Sequence, residues 1–105
     1  MPIEVLENEA QERYELRVEG ELAGILEYRG HGPVRALTHT EVFEGREGQG
    51  LGSELIRRTL DDVRGRGLHV LPICPFVKAY LGEHREYVDL VEPNQRRAFN
   101  LPEPA

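Results

Sequence analysis

Hydrophobic and polar positions alternate along the first third of the chain. In "RYELRVE" (13–19), Tyr14, Leu16 and Val18 interleave with charged neighbours, which is the period of a strand with one wet face. "IEVLENE" (3–9) and "LAGILEYRG" (22–30) are similar short runs, set apart by the turn-like "AQE" and "GE". Together the three predict an antiparallel meander. "GHGP" (30–33) marks another turn, and "VRALTHTEVFE" (34–44), rich in β-branched residues, predicts a longer fourth strand.

The period then changes. Leu51, Leu55, Ile56, Leu60 and Val63 recur at helical spacing, Glu54–Arg58 and Arg58–Asp62 fall four apart on the other side, and Gly65 and Gly67 supply the stop. "LHVLPIC" (68–74) reads as a buried strand, and a strand–helix–strand crossover within one sheet implies a parallel pair. Pro72 has no N–H to give a ladder, so this strand is expected to diverge from its neighbour there. Pro75 can open a second helix through "FVKAYLGEH". "YVDLVE" (87–92) reads as a weak final strand and "PNQRRAFNLPEPA" (93–105) as a loosely held tail. The expected fold class is α+β with a mixed sheet, in one domain over 1–92 followed by the tail.

Between the fourth strand and the helix, "EVFEGREGQGLGSELIRRTL" crowds Gly45, Gly48, Gly50 and Gly52 into eight residues. Glycines at a strand-to-helix junction suit a loop whose backbone approaches a ligand, and a helix N-terminus favours an anion there. Two familiar phosphate signatures fail on spacing. A dinucleotide fingerprint starting at Gly48 needs glycine where Ser53 stands, and a P-loop needs Gly-Lys-Ser/Thr where Gly50 and Gly52 precede Leu51 and Ser53.

Bulk properties narrow the ligand class further. The 105 residues suffice for a single modest core, with 39% hydrophobic content. A net charge of −6 argues against nucleic-acid backbone binding and suits a cationic partner such as an amine. "MPIEVLENEA" carries acids and no long apolar run, which argues against a secretory signal, and no later segment reaches the roughly 18 apolar residues of a membrane span. A cytoplasmic protein without membrane contact is expected. Cys74 stands alone, so no intrachain disulfide is expected. His31, His69 and His84 lack metal-ligand spacing, read as structural or surface residues, and imply no metal.

The order of strand, "EGQGLG", helix, broken strand and helix resembles the GNAT acetyltransferases. "LTHTEVFEGREGQGLGSELI" and "LPICPFVKAYLGEHREYVDLV" are most similar to their small-domain branch, the GNAT-like predicted acetyltransferases. The likeness spans about residues 3 to 91. It implies a cleft between two parallel strands that splay apart, with acetyl-coenzyme A as the acyl donor and transfer to a small amine or lysine-like side chain. Where the superfamily pattern puts an arginine or glutamine, position 47 is Glu47 with Arg46 beside it. Larger members carry helices between the first two strands. Here only a tight turn fits, so the acceptor pocket would be open, shared with a partner, or absent.

In that frame the main chain of Gln49, Gly50, Leu51 and Gly52, with Gly48, would cradle the pyrophosphate, and the main chain near Val42 would pair with pantetheine. Arg46 and Lys78 are candidate cations for the phosphates. An amine must lose a proton before it attacks a thioester, so a base is needed. His39 and Glu41 share one face of the fourth strand and are the candidates. Cys74, opening the second helix in "CPFV", is the candidate thiol beside the thioester, either as acyl acceptor with His39 as its base or as a bystander to direct transfer. The alternative class is a non-catalytic module that binds acyl-coenzyme A without an acceptor. The sequence leaves the oligomeric state open.

Overall fold

The computed structural model describes residues 2–105. Four strands come first: β1 (Ile3–Asn8), β2 (Arg13–Val18), β3 (Glu21–Arg29) and β4 (Val34–Val42). They form the expected antiparallel meander. Its tightest turn is the two-residue loop Glu19–Gly20 between paired Val18 and Glu21. Both loop residues have positive φ, the geometry that matches the twist of the strands it joins. Helix α1 (Leu51–Gly65) then crosses to β5 (His69–Pro72), which lies parallel to β4 and completes the order β1-β2-β3-β4-β5.

The apolar stripe of α1 decides which face of the sheet is covered. Leu55, Leu60 and Val63 are fully buried in one core with Leu16, Leu26, Leu37 and Val70 of the strands. Two bulges adjust the pleat around that core. Ala23 is an extra residue in β3 against the pair Leu16 and Arg17, so Ala23 and then Leu26 both face inward while Ile25 lies outside the core cluster. Thr38 is an extra residue in β4 between Leu37, opposite Tyr28, and His39, opposite Glu27.

At the paired end of β4 and β5 the core closes over a polar network. Arg35 donates to the Tyr14 hydroxyl at 2.6 Å, and that hydroxyl donates to Asp62 at 2.6 Å. Glu7 accepts from Tyr28, pairs with Arg35 at 3.0 Å, and meets Arg66 at 2.8 Å. The Arg35 guanidinium also lies 4.5 Å from the Tyr28 ring centroid. Burial, then the Glu7 carboxylate, push the Tyr28 phenol up to about 12. Burial, then Asp62, raise Tyr14 as well, so both phenols stay neutral.

The far end of the chain departs from the sequence reading. The segment expected as a final strand is a 3₁₀ helix, Arg85–Leu90, closed by local bonds such as Tyr87 N–H to His84 O. It has no strand to pair with, and Arg64 pins it from α1 through Asp89 and the Glu86 carbonyl. Before it, α2 (Pro75–Glu83) starts at Pro75 as expected. Residues 93–105, expected as a loose tail, instead begin with α3 (Pro93–Ala98) and fold back. Leu101 packs on the core, Ala105 N–H reaches Arg85 O at 3.1 Å, and Arg85 donates to Glu103 O. Among the described residues no helix is long and apolar enough to cross a membrane.

Tyr14→Phe keeps the ring but takes one hydrogen-bond partner from the nearly buried Arg35 guanidinium and one from Asp62, leaving them Glu7 and Arg66. The variant is expected to lose about 1–3 kcal/mol in a urea titration. A loss within error would show that water replaces the hydroxyl without cost.

Candidate functional site

Pairing between β4 and β5 runs only from Val34 opposite His69 to Leu37 opposite Pro72. Pro72 then sits at the centre of a tight bend, with Ile73 N–H bonded to Leu71 O at 3.0 Å, a turn that suits the fixed φ of proline. Cys74 N–H closes on Leu37 O at 2.8 Å, and Pro75 starts α2. The chain has thereby left the sheet. Residues 38–42 of β4 keep β3 on one side and have no strand on the other. Backbone groups alternate in direction along a strand, so this free edge presents unpaired N–H and C=O groups.

A cleft of about 580 Å³ opens beside that edge. One wall is Thr40, Glu41 and Val42; the second is the start of α1, including Gly52, Ser53 and Ile56. The third is one face of α2, where Phe76, Ala79, Tyr80 and Glu83 follow the helical i, i+3, i+4, i+7 spacing. Arg46, Glu47 and Gly48 of the glycine loop complete the lining.

The α1 N-terminus is built to leave its amides free. Gly50 is the N-cap in a left-handed conformation, φ 71°, and has no side chain to cap the first turn. Glu54 N–H bonds Gly50 O, which leaves the amides of residues 51 to 53 without a helical partner. A Cβ at Gly52 would lie 3.6 Å from Val42 Cγ2, an ordinary contact that places the helix start beside the β4 tip. Gly24 allows the matching approach from the other side, since a Cβ there would meet Glu41 O at 2.7 Å. Glu54, the acid in this first turn, is tied to Arg57 and Arg58, and the Arg57 hydrogen bond is the main cause of its lowered pKa.

The candidate site residues divide by position. Val42, Arg46, Gly48, Gly50 and Gly52 line the cleft, as does Glu41. Leu51 also lines it but buries its side chain in the core. Gln49 and Lys78 are exposed and are not part of the cleft wall. His39 Nε2 lies 3.3 Å from Glu41 Oε1, and both side chains are about half exposed. The Thr38 bulge creates this arrangement. It shifts the alternation of β4 so that Arg35, Leu37 and Thr40 are buried while His39 and Glu41 are exposed. Cys74 is 2% exposed, and its Sγ donates to Thr40 Oγ1 at 3.4 Å. The pairing of Cys74 with His39 that the acyl-acceptor alternative needs is therefore not formed, because His39 and Thr40 point to opposite faces of the strand.

Of the other histidines, His84 stacks on Tyr80 at 4.0 Å and His31 lies 3.5 Å from Glu12. Among the described residues no group of three acids, histidines or cysteines is placed to hold a metal. Sequence reasoning missed the α2 wall. Its signal was the aromatic spacing of Phe76 and Tyr80 immediately after a strand broken by proline. Tyr80 lines the cleft at 7% exposure, and burial raises its pKa, so its phenol stays neutral.

A family model described as GCN5-related N-acetyl-transferase matches residues 13–90. The solution structure of a GCN5-like protein from Staphylococcus aureus is 22% identical, with a TM-score of 0.64 over 85% of this chain and 87% of that one. Ard1 from Thermoplasma volcanium is 19% identical, with a TM-score of 0.50 over 58% of this chain and 43% of that one. A GNAT family acetyltransferase from Brucella melitensis, solved in complex with acetyl-CoA, is 21% identical, with a TM-score of 0.50 over 65% of this chain and 50% of that one. This chain thus spans about half the length of the last two, and at such identities the likeness is one of fold. No curated protein matches the chain.

Burial of Cys74 under Thr40 has a direct chemical readout. In the folded protein the thiol is expected to react slowly with Ellman's reagent and to release one equivalent of chromophore once denatured. Prompt reaction in the native state would put Sγ in the cleft.

Proposed function

Because the chain belongs to the GCN5-related N-acetyltransferase family, we propose that it transfers an acetyl group from acetyl-coenzyme A to a small amine or a lysine-like side chain. The observation that carries this reading is the meeting of two unpaired backbone surfaces in one cleft: the free edge of β4 and the uncapped start of α1. They match the two polar parts of the donor. Amides at residues 50 to 53 suit a diphosphate, with the helix dipole adding to their field. The open edge of β4 near Val42 suits a peptide-like arm as an added strand would. The glycines leave room for it, since neither Gly50 nor Gly52 carries a side chain into the gap.

When bound, the donor supplies an activated thioester, so the protein has only to orient an amine and manage two protons. His39 and Glu41, in contact beside the parting strands, take the ammonium proton, with Glu41 holding the cation in place. Tyr80, a neutral phenol in the cleft wall, is the candidate to return a proton to the departing thiolate. Cys74 stands under Thr40 and supports direct transfer better than an acyl-cysteine route, because its sulfur is covered. The second reading is a module that binds acyl-coenzyme A without catalysis. It is favoured by one observation: between β1 and β2 there is only the three-residue 3₁₀ turn Glu9–Gln11, too short to wall an acceptor pocket.

Calorimetry with coenzyme A and acetyl-coenzyme A, followed by an amine panel monitored for thiol release, separates the two. Binding with turnover supports the transferase, and binding without turnover across the panel leaves the module. Gly50→Val, which forces a β-branched residue to positive φ and crowds the amides, is expected to weaken coenzyme A binding at least tenfold in a folded protein. His39→Ala is expected to slow turnover by about a hundredfold with binding intact, whereas Cys74→Ala keeps appreciable turnover. Acetyl mass accumulating on Cys74 and passing on to amines would replace direct transfer with the covalent route.

A further inference from the structure

The cleft holds a charge conflict. Coenzyme A is polyanionic, yet the wall carries Glu41, Glu47 and Glu83 against the single guanidinium of Arg46. Two of these groups already have partners inside the glycine loop and its neighbouring hairpin. Glu47 Oε2 accepts Gly45 N–H at 2.9 Å, so a carboxylate of the loop itself occupies one of the loop's amides. Arg46 leans toward Glu21, with Nη2 3.8 Å from its carboxylate, in an exposed and therefore weak pairing.

Resting on the coenzyme A reading above, we propose that Glu47 is a resident anion of the glycine loop whose charge opposes the coenzyme's diphosphate and lowers its affinity. Gly45 is not part of the cleft wall, so Glu47 acts through its charge: when phosphates settle on the α1 start, its carboxylate either swings away and gives up Gly45 N–H or remains as a like charge beside them. Arg46 must at the same time exchange Glu21 for the ligand. Both exchanges are cheap because both contacts are solvent-exposed, so the loop trades internal pairing for ligand pairing without unfolding. Glu47 thus makes the donor site weaker than its amides and Arg46 alone would make it, and most so at low ionic strength.

The test titrates coenzyme A and pantetheine, which lacks phosphates, into the unmodified protein, Glu47→Gln and Glu44→Gln by calorimetry at low and high salt. Glutamine at 47 keeps an acceptor for Gly45 N–H and removes only the charge. Glu44 is an exposed loop acid that is not part of the cleft wall, so its substitution changes net charge equally. Glu47→Gln is expected to tighten coenzyme A about fivefold or more at low salt, a gain that shrinks at high salt as surface fields are screened. Pantetheine should bind all three proteins alike, and Glu44→Gln should stay within about twofold of the parent for coenzyme A. An unchanged affinity in Glu47→Gln, or equal gains in both variants, would overturn the inference while leaving the coenzyme reading intact. If none of the three proteins binds coenzyme A, that reading itself fails and this inference falls with it.

Discussion

A proline cannot donate to a β ladder, and the placement of Pro72 at the last rung between β4 and β5 governs the rest of this molecule. Four residues on each strand pair in parallel, then the bend around Pro72 sends the chain off into α2. Had the ladder continued, β5 would have satisfied the backbone of residues 38 to 42 and filled the cleft. Instead, one strand edge in the middle of the sheet is left open, next to a helix that starts without a side-chain cap. A sheet edge and a helix start are each common sources of unpaired backbone groups. Here they face the same volume.

The opposite end of the same strand pair is built for closure. Arg35 of β4 is held by Tyr14, Glu7 and the Tyr28 ring, and Asp62 and Arg66 bring the end of α1 into the same network. Every charge named there has a partner, which is the condition under which buried ionic groups are tolerated. The network keeps β4 and α1 in register at one end while they part from β5 and α2 at the other. The two ends therefore divide the work between rigidity and access.

Electrostatics at the cleft are less one-sided than an anion site would suggest. The free amides of α1 and Arg46 favour phosphate, whereas Glu41, Glu47 and Glu83 disfavour it. In the proposed transfer Glu41 serves a different end, since with His39 it lies on the exposed face of β4, open to a cationic amine from solvent. A strand that offers its backbone edge to the donor and its outer side chains to the acceptor can serve both, provided that its pleat is set correctly.

That pleat marks the boundary between what the sequence by itself determined and what only the tertiary structure decided. The alternation of Tyr14, Leu16 and Val18, the helical spacing from Leu51 to Val63, the glycine cluster and Pro72 made the meander, the crossover helix and the parting strands legible, because each is a local rule written in consecutive residues. The final segment was misread because Val88, Leu90 and Val91 are buried by contacts from elsewhere, and Arg64 selects a 3₁₀ helix where local propensity allowed a strand. The tail was misread for the same reason, since Leu101 and the backbone of Ala105 find partners distant in sequence. Cys74 and His39 were candidate partners in a covalent route only through the family resemblance. The bulge at Thr38, which arises only when β4 is paired against β3, turned one of them to solvent and left the other beneath Thr40.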